Sequence, residues 1–134
     1  MQTNYAGSSA AVLAQYIGGK CQLQLGKFAE AEQSFRSYLA SAAKAPFYEQ
    51  AAQTALAASL EGQGKYAEAA STYQEAGSKL SEPLASEARL DAARALRLAG
   101  SVDEARKLLQ GLVADQTSEV SRQAKIDLAV LDCA

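Results

Sequence analysis

The sequence predicts an all-α fold built from a repeated helix hairpin, and two observations carry that prediction. Alanine, the strongest helix former, supplies 30 of the 134 residues, whereas valine and isoleucine together supply seven. A pattern of glycine, apolar residue, glutamate, alanine and large apolar residue recurs three times, at intervals of 38 and 36 residues. The hydrophobic share of 49% and the charged share of 21% are typical of a chain that buries its own core.

The three copies of the pattern begin at Gly26, Gly64 and Gly100. Each glycine is expected to end a helix, because glycine takes the left-handed conformation without steric penalty. The apolar residue two positions later opens the next helix, and the alanine lets two backbones approach closely. The alanines are Ala31, Ala69 and Ala105, and the large residues four positions on are Phe35, Tyr73 and Leu109. The preceding helices carry matching apolar rows at Tyr16, Leu23 and Leu25, at Leu56 and Leu60, and at Leu90, Leu96 and Leu98.

Proline and cap residues mark the predicted boundaries. Pro46 and Pro83 stand where helices are expected to begin. Ser101 and Glu104 have the spacing of a capping box, in which the Ser101 side chain would accept a bond from a free N–H. The predicted helices cover 9–25, 28–43, 46–63, 66–80, 83–99, 102–114 and 118–132. They form a single domain over 1–134, with repeats at 9–43, 46–80 and 83–114 and a terminal helix at 118–132.

These residues resemble the tetratricopeptide repeat family, whose signature runs W-x2-L-G-x2-Y … A-x3-F … P. The second repeat matches it best, through Leu56, Ala57, Leu60, Gly64, Tyr66, Ala69, Tyr73 and Ala76. The resemblance implies a right-handed superhelical solenoid of three helix hairpins plus a C-terminal capping helix. It also implies a non-catalytic protein–protein interaction scaffold that binds a peptide or a partner domain in the concave groove lined by the first helices.

The arrangement is similar, more narrowly, to the tetratricopeptide domains of bacterial envelope proteins. Examples are the membrane-anchored ancillary subunit of the Sec translocon and the Tol–Pal-associated cell-division coordinator. That resemblance implies a periplasmic or membrane-anchored full-length protein, with a cytoplasmic one as the alternative. It also implies that 1–134 is a fragment of a longer chain, in which residues 5–10 link to an earlier repeat.

The residue composition predicts that the chain has no catalytic site and binds no cofactor or metal. The chain has no histidine and two cysteines, which excludes histidine-based triads and histidine-ligated zinc. The glycines around Lys20 and Lys65 lack the spacing of a phosphate loop. We expect Cys21 to lie in the core and Cys133 to be an exposed tail thiol, too far away for a disulfide.

The net charge and the hydropathy of the chain limit the classes of partner that it is expected to bind. The net charge of −2 gives no reason to expect nucleic acid. No apolar run approaches the roughly 18 residues of a membrane span, so we expect no direct membrane insertion by this segment. The recurring Glu30, Glu68 and Glu104 are interpreted as helix N-terminal carboxylates that face the macrodipole.

The resemblance implies a set of candidate partner-binding residues on the groove side of the first helices: Tyr16, Lys20, Gln24, Thr54, Arg94 and Arg97. Tyr16 and Lys20 stand where the family's carboxylate clamp has lysine and asparagine, so binding of chaperone tails is not supported. Arg94 and Arg97 lie one helical turn apart and, with Lys20, would hold an acidic peptide. The alternative is a solvated charged face.

Two rival functions remain at this point. One is self-association into a homodimer through an N-terminal face offered by Val12, Leu13, Tyr16 and Ile17. The other is a small helical enzyme or ligand carrier, which would need convergent polar groups inside the core. The sequence contains no motif for such a site, and the identity of a protein partner does not follow from it.

Overall fold

The computed structural model describes residues 9–114 and 119–133, and within these ranges it contains helices and no strand. The helices are α1 (Ser9–Gln24), α2 (Phe28–Ala40), α3 (Pro46–Gly62), α4 (Tyr66–Lys79), α5 (Leu84–Leu98), α6 (Val102–Val113) and α7 (Glu119–Cys133). The all-α prediction is confirmed, and each predicted helix has its counterpart. The clearest boundary error is in α2, which ends at Ala40 and not at residue 43.

The chain divides into two compact units, Met1–Lys65 and Tyr66–Ala134. The first contains α1 to α3 and the second α4 to α7, so the predicted repeat 46–80 is shared between them. The single domain over 1–134 stays a prediction. Most of the predicted link at residues 5–10, and residue 118 of the predicted terminal helix, lie outside the described residues.

The three turn glycines end their helices as predicted, with φ of 78° at Gly26, 79° at Gly64 and 91° at Gly100. At the first turn the Gly26 N–H donates to the Leu23 carbonyl at 3.1 Å and the Lys27 N–H to the Gln22 carbonyl at 2.8 Å. The same pair of bonds recurs at the other two turns. This arrangement satisfies carbonyls that would otherwise be left free at the helix end.

In the first unit, α1 packs on α2 through a glycine and an aromatic ring. A Cβ built on Gly19 would lie 2.8 Å from the Phe35 ring, so no larger residue fits without displacing it. Ala31 and Phe35 are both 0% exposed, which confirms the predicted alanine and large apolar positions in this repeat. The close approach of the two helices therefore depends on the absence of a side chain at residue 19.

The contact between α2 and α3 uses a second glycine and a hydroxyl. The Phe28 ring lies over Gly62, where an added Cβ would come within 2.4 Å of it. The Tyr38 hydroxyl donates to the Ala45 carbonyl at 3.2 Å and accepts from the Ala45 N–H at 3.1 Å. Pro46 then begins α3 at a first-turn position, as predicted. Both ends of α3 are thus tied to α2.

In the second unit, α4 to α7 pack in succession along the chain. Three positions of α5, Ala85, Ala88 and Ala95, are buried. The residues 36 positions later on α7, Ser121, Ala124 and Leu131, are buried too. At these three positions α7 follows the register of a first helix, whereas Ala129 and Asp132, 36 residues after the buried Ala93 and Leu96, are exposed.

Four local expectations are wrong. Ser101 makes no side-chain cap bond, because its backbone (φ −87°, ψ 65°) is fixed by the preceding turn, where its N–H donates to the Leu96 carbonyl. Leu25 and Leu98 are exposed, since one lies in a turn and the other at the last residue of α5. Cys21 is exposed and not in the core, because two positions separate it from the packed face at Gly19.

Substitution of Gly19 by alanine should destabilise the protein by about 1–3 kcal/mol, because the new methyl overlaps the Phe35 ring. Gly18→Ala is a matched control on the same helix, since a Cβ there meets nothing within 4 Å. Alanine at 18 should raise stability by up to about 1 kcal/mol through helix propensity. Urea unfolding followed by circular dichroism measures both, and equal effects of the two changes would contradict the packing described.

Candidate partner-binding surface

Three of the predicted binding residues lie at or near the surface of the first unit. Lys20 and Gln24 are exposed on α1. Thr54 is half-buried on α3, and its hydroxyl donates to the carbonyls of Gln50 at 3.2 Å and Ala51 at 3.0 Å. The hydroxyl of Thr54 is therefore held by its own helix, whereas Lys20 and Gln24 present their side chains to solvent.

Tyr16 lies in the core of the first unit and not on its surface. It is 9% exposed, and its ring centroid lies 5.4 Å from that of Tyr38 and 5.2 Å from that of Tyr48. Burial, followed by the neighbouring tyrosines, raises the pKa of the Tyr16 hydroxyl. Its aromatic contacts with α2 and α3 explain why a residue expected in the groove serves packing instead.

The predicted N-terminal association face is also changed by this packing. Val12 is buried together with Tyr16, on the side of α1 that faces the rest of the first unit. Leu13 is half-buried, and Ile17 is 54% exposed. Two of the four residues expected to offer a free apolar face are thus already covered within the chain.

In the second unit, Arg94 and Arg97 lie one turn apart on the side of α5 away from its buried alanines. The Arg94 Nη1 is 2.8 Å from Asp91 Oδ1, and both side chains are about 40% exposed. Arg97 is exposed in the last turn of α5 and forms no ion pair within 9–114 and 119–133. The positive charge of Arg97 is therefore more available to a partner than that of Arg94, which is paired with Asp91.

Sequence reasoning missed an exposed apolar pair on α7. Ile126 and Val130 are 54% and 51% exposed and stand one helical turn apart. They follow Leu90 and Arg94 by 36 residues, which is the interval of the repeat. Carrying that interval one step further along the sequence would have found them. Phe47, exposed in the first turn of α3 with its ring edge-on to Tyr48, was missed too.

The carboxylate of Glu32 on α2 has a strongly lowered pKa. Its oxygens lie 2.7 Å from Gln63 Nε2, 2.7 Å from Arg36 Nε and 3.3 Å from Lys65 Nζ. These hydrogen bonds, with that from Gln63 the largest cause, lower the pKa of Glu32 to about 2. Gln63 also donates to the Ser59 carbonyl, so Glu32 fastens α2 to the last turn of α3. These three contacts give the Glu32 carboxylate a structural role at the junction of α2 and α3.

Three further features bear on function: metal ligands, free thiols and membrane-spanning helices. Within the part of the chain that the structure describes, no group of three His, Cys, Asp or Glu could hold a metal ion. Cys21 and Cys133 are free and exposed. None of the described helices combines the length and the apolar character needed to cross a membrane.

Comparison with known families identifies the class. Two models, each described as tetratricopeptide repeat, match the chain over residues 60–126 and 4–46. The first spans half of the chain, and the chain belongs to the tetratricopeptide repeat family. Such repeats generally mediate protein–protein interaction, and proteins of this family are typically non-catalytic scaffolds. No curated protein and no solved structure matches, so the similarity to envelope proteins stays a prediction.

Replacement of Glu32 by glutamine should lower the free energy of unfolding by about 1–3 kcal/mol at pH 7, through loss of charge-assisted hydrogen bonds. Because the folded pKa of about 2 lies below the ordinary 4.5, the contribution of Glu32 is complete above pH 4.5. It is lost as the pH falls through 4.5 towards 2.

Chemical denaturation at a series of pH values tests this expectation. The difference between wild type and Glu32→Gln should shrink steadily below pH 4.5. Glu30→Gln, an exposed first-turn change on the same helix, should cost about 0.5 kcal/mol through the helix dipole. A Glu32→Gln difference that is independent of pH would show that the hydrogen bonds to the carboxylate do not stabilise the fold.

Proposed function

We propose that this chain is a non-catalytic scaffold that binds a peptide or partner domain along the groove that first helices line in this family. An acidic segment of the partner contacts Arg94 and Arg97 on α5 of the second unit, and Lys20 and Gln24 are separate candidate contacts on α1 of the first unit. Membership of the tetratricopeptide repeat family supports the general role. The finer assignment rests mainly on one observation, the exposed Arg97 with no ion-pair partner in the described ranges.

The placement of the arginines on α5 supports a recognition role. The helix buries Ala85, Ala88, Ala92, Ala93 and Ala95 together with Leu96 on one side. Arg94 and Arg97 stand on the other side. A carboxylate held by an ordered arginine contributes about 1.5–3 kcal/mol to binding, and less where the contact stays wet.

The packing of the first unit weakens the self-association alternative in its original form. Val12 and Tyr16 are needed inside the unit, and Ile17 alone is a small apolar contact. The shifted pKa of Glu32 does not support an enzymatic alternative, because this carboxylate is engaged by Gln63, Arg36 and Lys65. A scaffold is the function that these side chains support best.

The proposal is tested with a double substitution, Arg94→Glu with Arg97→Glu. A partner is first isolated by affinity purification with the intact chain, and its affinity is then measured by calorimetry. The double variant should bind at least tenfold more weakly and keep its helical signal, with only a small fall in melting temperature from loss of the exposed Arg94–Asp91 pair. The loss follows from replacing attraction to carboxylates by repulsion.

A charge-matched control separates specific contact from long-range charge. Lys27→Glu with Lys107→Glu makes the same change in net charge at exposed residues outside the proposed surface. This control should weaken binding less than threefold at physiological salt, where exposed charges are largely screened. Equal weakening by both double variants, or unchanged affinity in the arginine variant, would refute the role of α5.

A further inference from the structure

We infer that α7 adds an apolar subsite beside the arginines of α5, so that the bound segment carries an apolar side chain next to its carboxylates. The inference rests on the proposed function and names the chemistry of its partner. It starts from Ile126 and Val130, which no part of the proposal above uses. Single exposed apolar residues are common, but two large ones stacked on adjacent turns form a continuous patch.

The repeat register places this patch on the same face as the arginines. Ile126 and Val130 follow Leu90 and Arg94 by 36 residues, and three buried residues of α5, Ala85, Ala88 and Ala95, have buried counterparts on α7 at the same interval. Equivalent positions of successive first helices share one surface of a repeat protein. Because α7 also contacts α5, the apolar pair lies beside the exposed side of that helix.

The charges around the patch favour a negatively charged partner segment. Arg97 lies in the last turn of α5, and Arg122 is exposed one turn before Ile126 on α7. Neither arginine forms an ion pair within the described ranges. Asp91 is already engaged by Arg94, and Glu87 lies in the first turn of α5, about 15 Å along the helix from Arg97. The unpaired cations flanking the apolar pair therefore favour carboxylates.

The partner segment is thus short, apolar and acidic. One Leu, Ile, Val or Phe side chain covers Ile126 and Val130 and reaches the half-buried Leu90. Asp or Glu residues next to it meet Arg97 and Arg122. Apolar burial supplies the anchor and the carboxylates fix its direction, so neither an acidic peptide without an apolar residue nor a basic one satisfies the surface.

A selection experiment tests this directly. Random dodecapeptides displayed on phage are selected against the intact chain at physiological salt, and the enriched peptides are synthesised and titrated by fluorescence anisotropy. We expect an apolar residue within four positions of Asp or Glu in the enriched set. Ile126→Ser with Val130→Ser should weaken these peptides at least tenfold, and Arg97→Glu at least fivefold.

The chain offers a matched control in Ile17→Ser, because Ile17 and Ile126 are the same residue type with the same exposure of 54%. This variant should leave peptide binding unchanged. Binding that is lost with Ile17→Ser and kept with the α7 variant would overturn the inference and place the site on α1.

The outcomes also separate the inference from the proposed function. Peptides weakened by Arg94→Glu with Arg97→Glu, but not by the α7 variant, would overturn the inference and leave the arginine surface standing. Peptides insensitive to both would refute both. An enriched set without carboxylates, or no enrichment, would refute recognition of a short acidic and apolar segment by α7.

Discussion

The close approach of neighbouring helices, made possible by glycine and alanine, is the constraint on which the rest of the structure depends. Gly19 lies against the Phe35 ring and Gly62 against the Phe28 ring, both without space for a Cβ. An aromatic ring set against bare backbone buries a large apolar area while it holds two helix axes close together. This arrangement explains how a chain so rich in alanine can build a dense core without tryptophan.

Side-chain hydrogen bonds add to the packing of the small residues, and in the first unit they hold both ends of α3. Tyr38 forms two hydrogen bonds with Ala45 just before α3 begins, and Glu32 accepts one from Gln63 just after α3 ends. Such bonds fix the direction in which a hairpin leads into the next helix, which apolar packing alone specifies poorly. The lowered pKa of Glu32 follows from this anchoring.

On α5 the buried side is formed by alanines and Leu96, so the opposite side can carry long polar side chains without disturbing the core. On α5 that side presents arginines, and on α7 it presents Ile126 and Val130. The surface we propose combines these apolar and cationic side chains, which stand at corresponding positions of the repeat on two helices that contact each other. A repeat fold thus allows exposed side chains to change from helix to helix while some buried positions, such as Ala88 and Ala124, stay alike.

The sequence by itself determined the helices, the turns and the repeat interval, because these depend on local properties. Glycines at 26, 64 and 100 and the alanines that follow them predict the hairpins with little reference to distant residues. Tertiary structure alone decided that Tyr16 is buried, that Cys21 is exposed and that Ser101 makes no cap bond. Tyr16 is buried and Cys21 exposed because α2 and α3 cover only one side of α1. Ser101 makes no cap bond because the preceding turn orients its backbone. Such choices depend on packing partners distant in sequence and on backbone geometry, neither of which a periodic pattern can report.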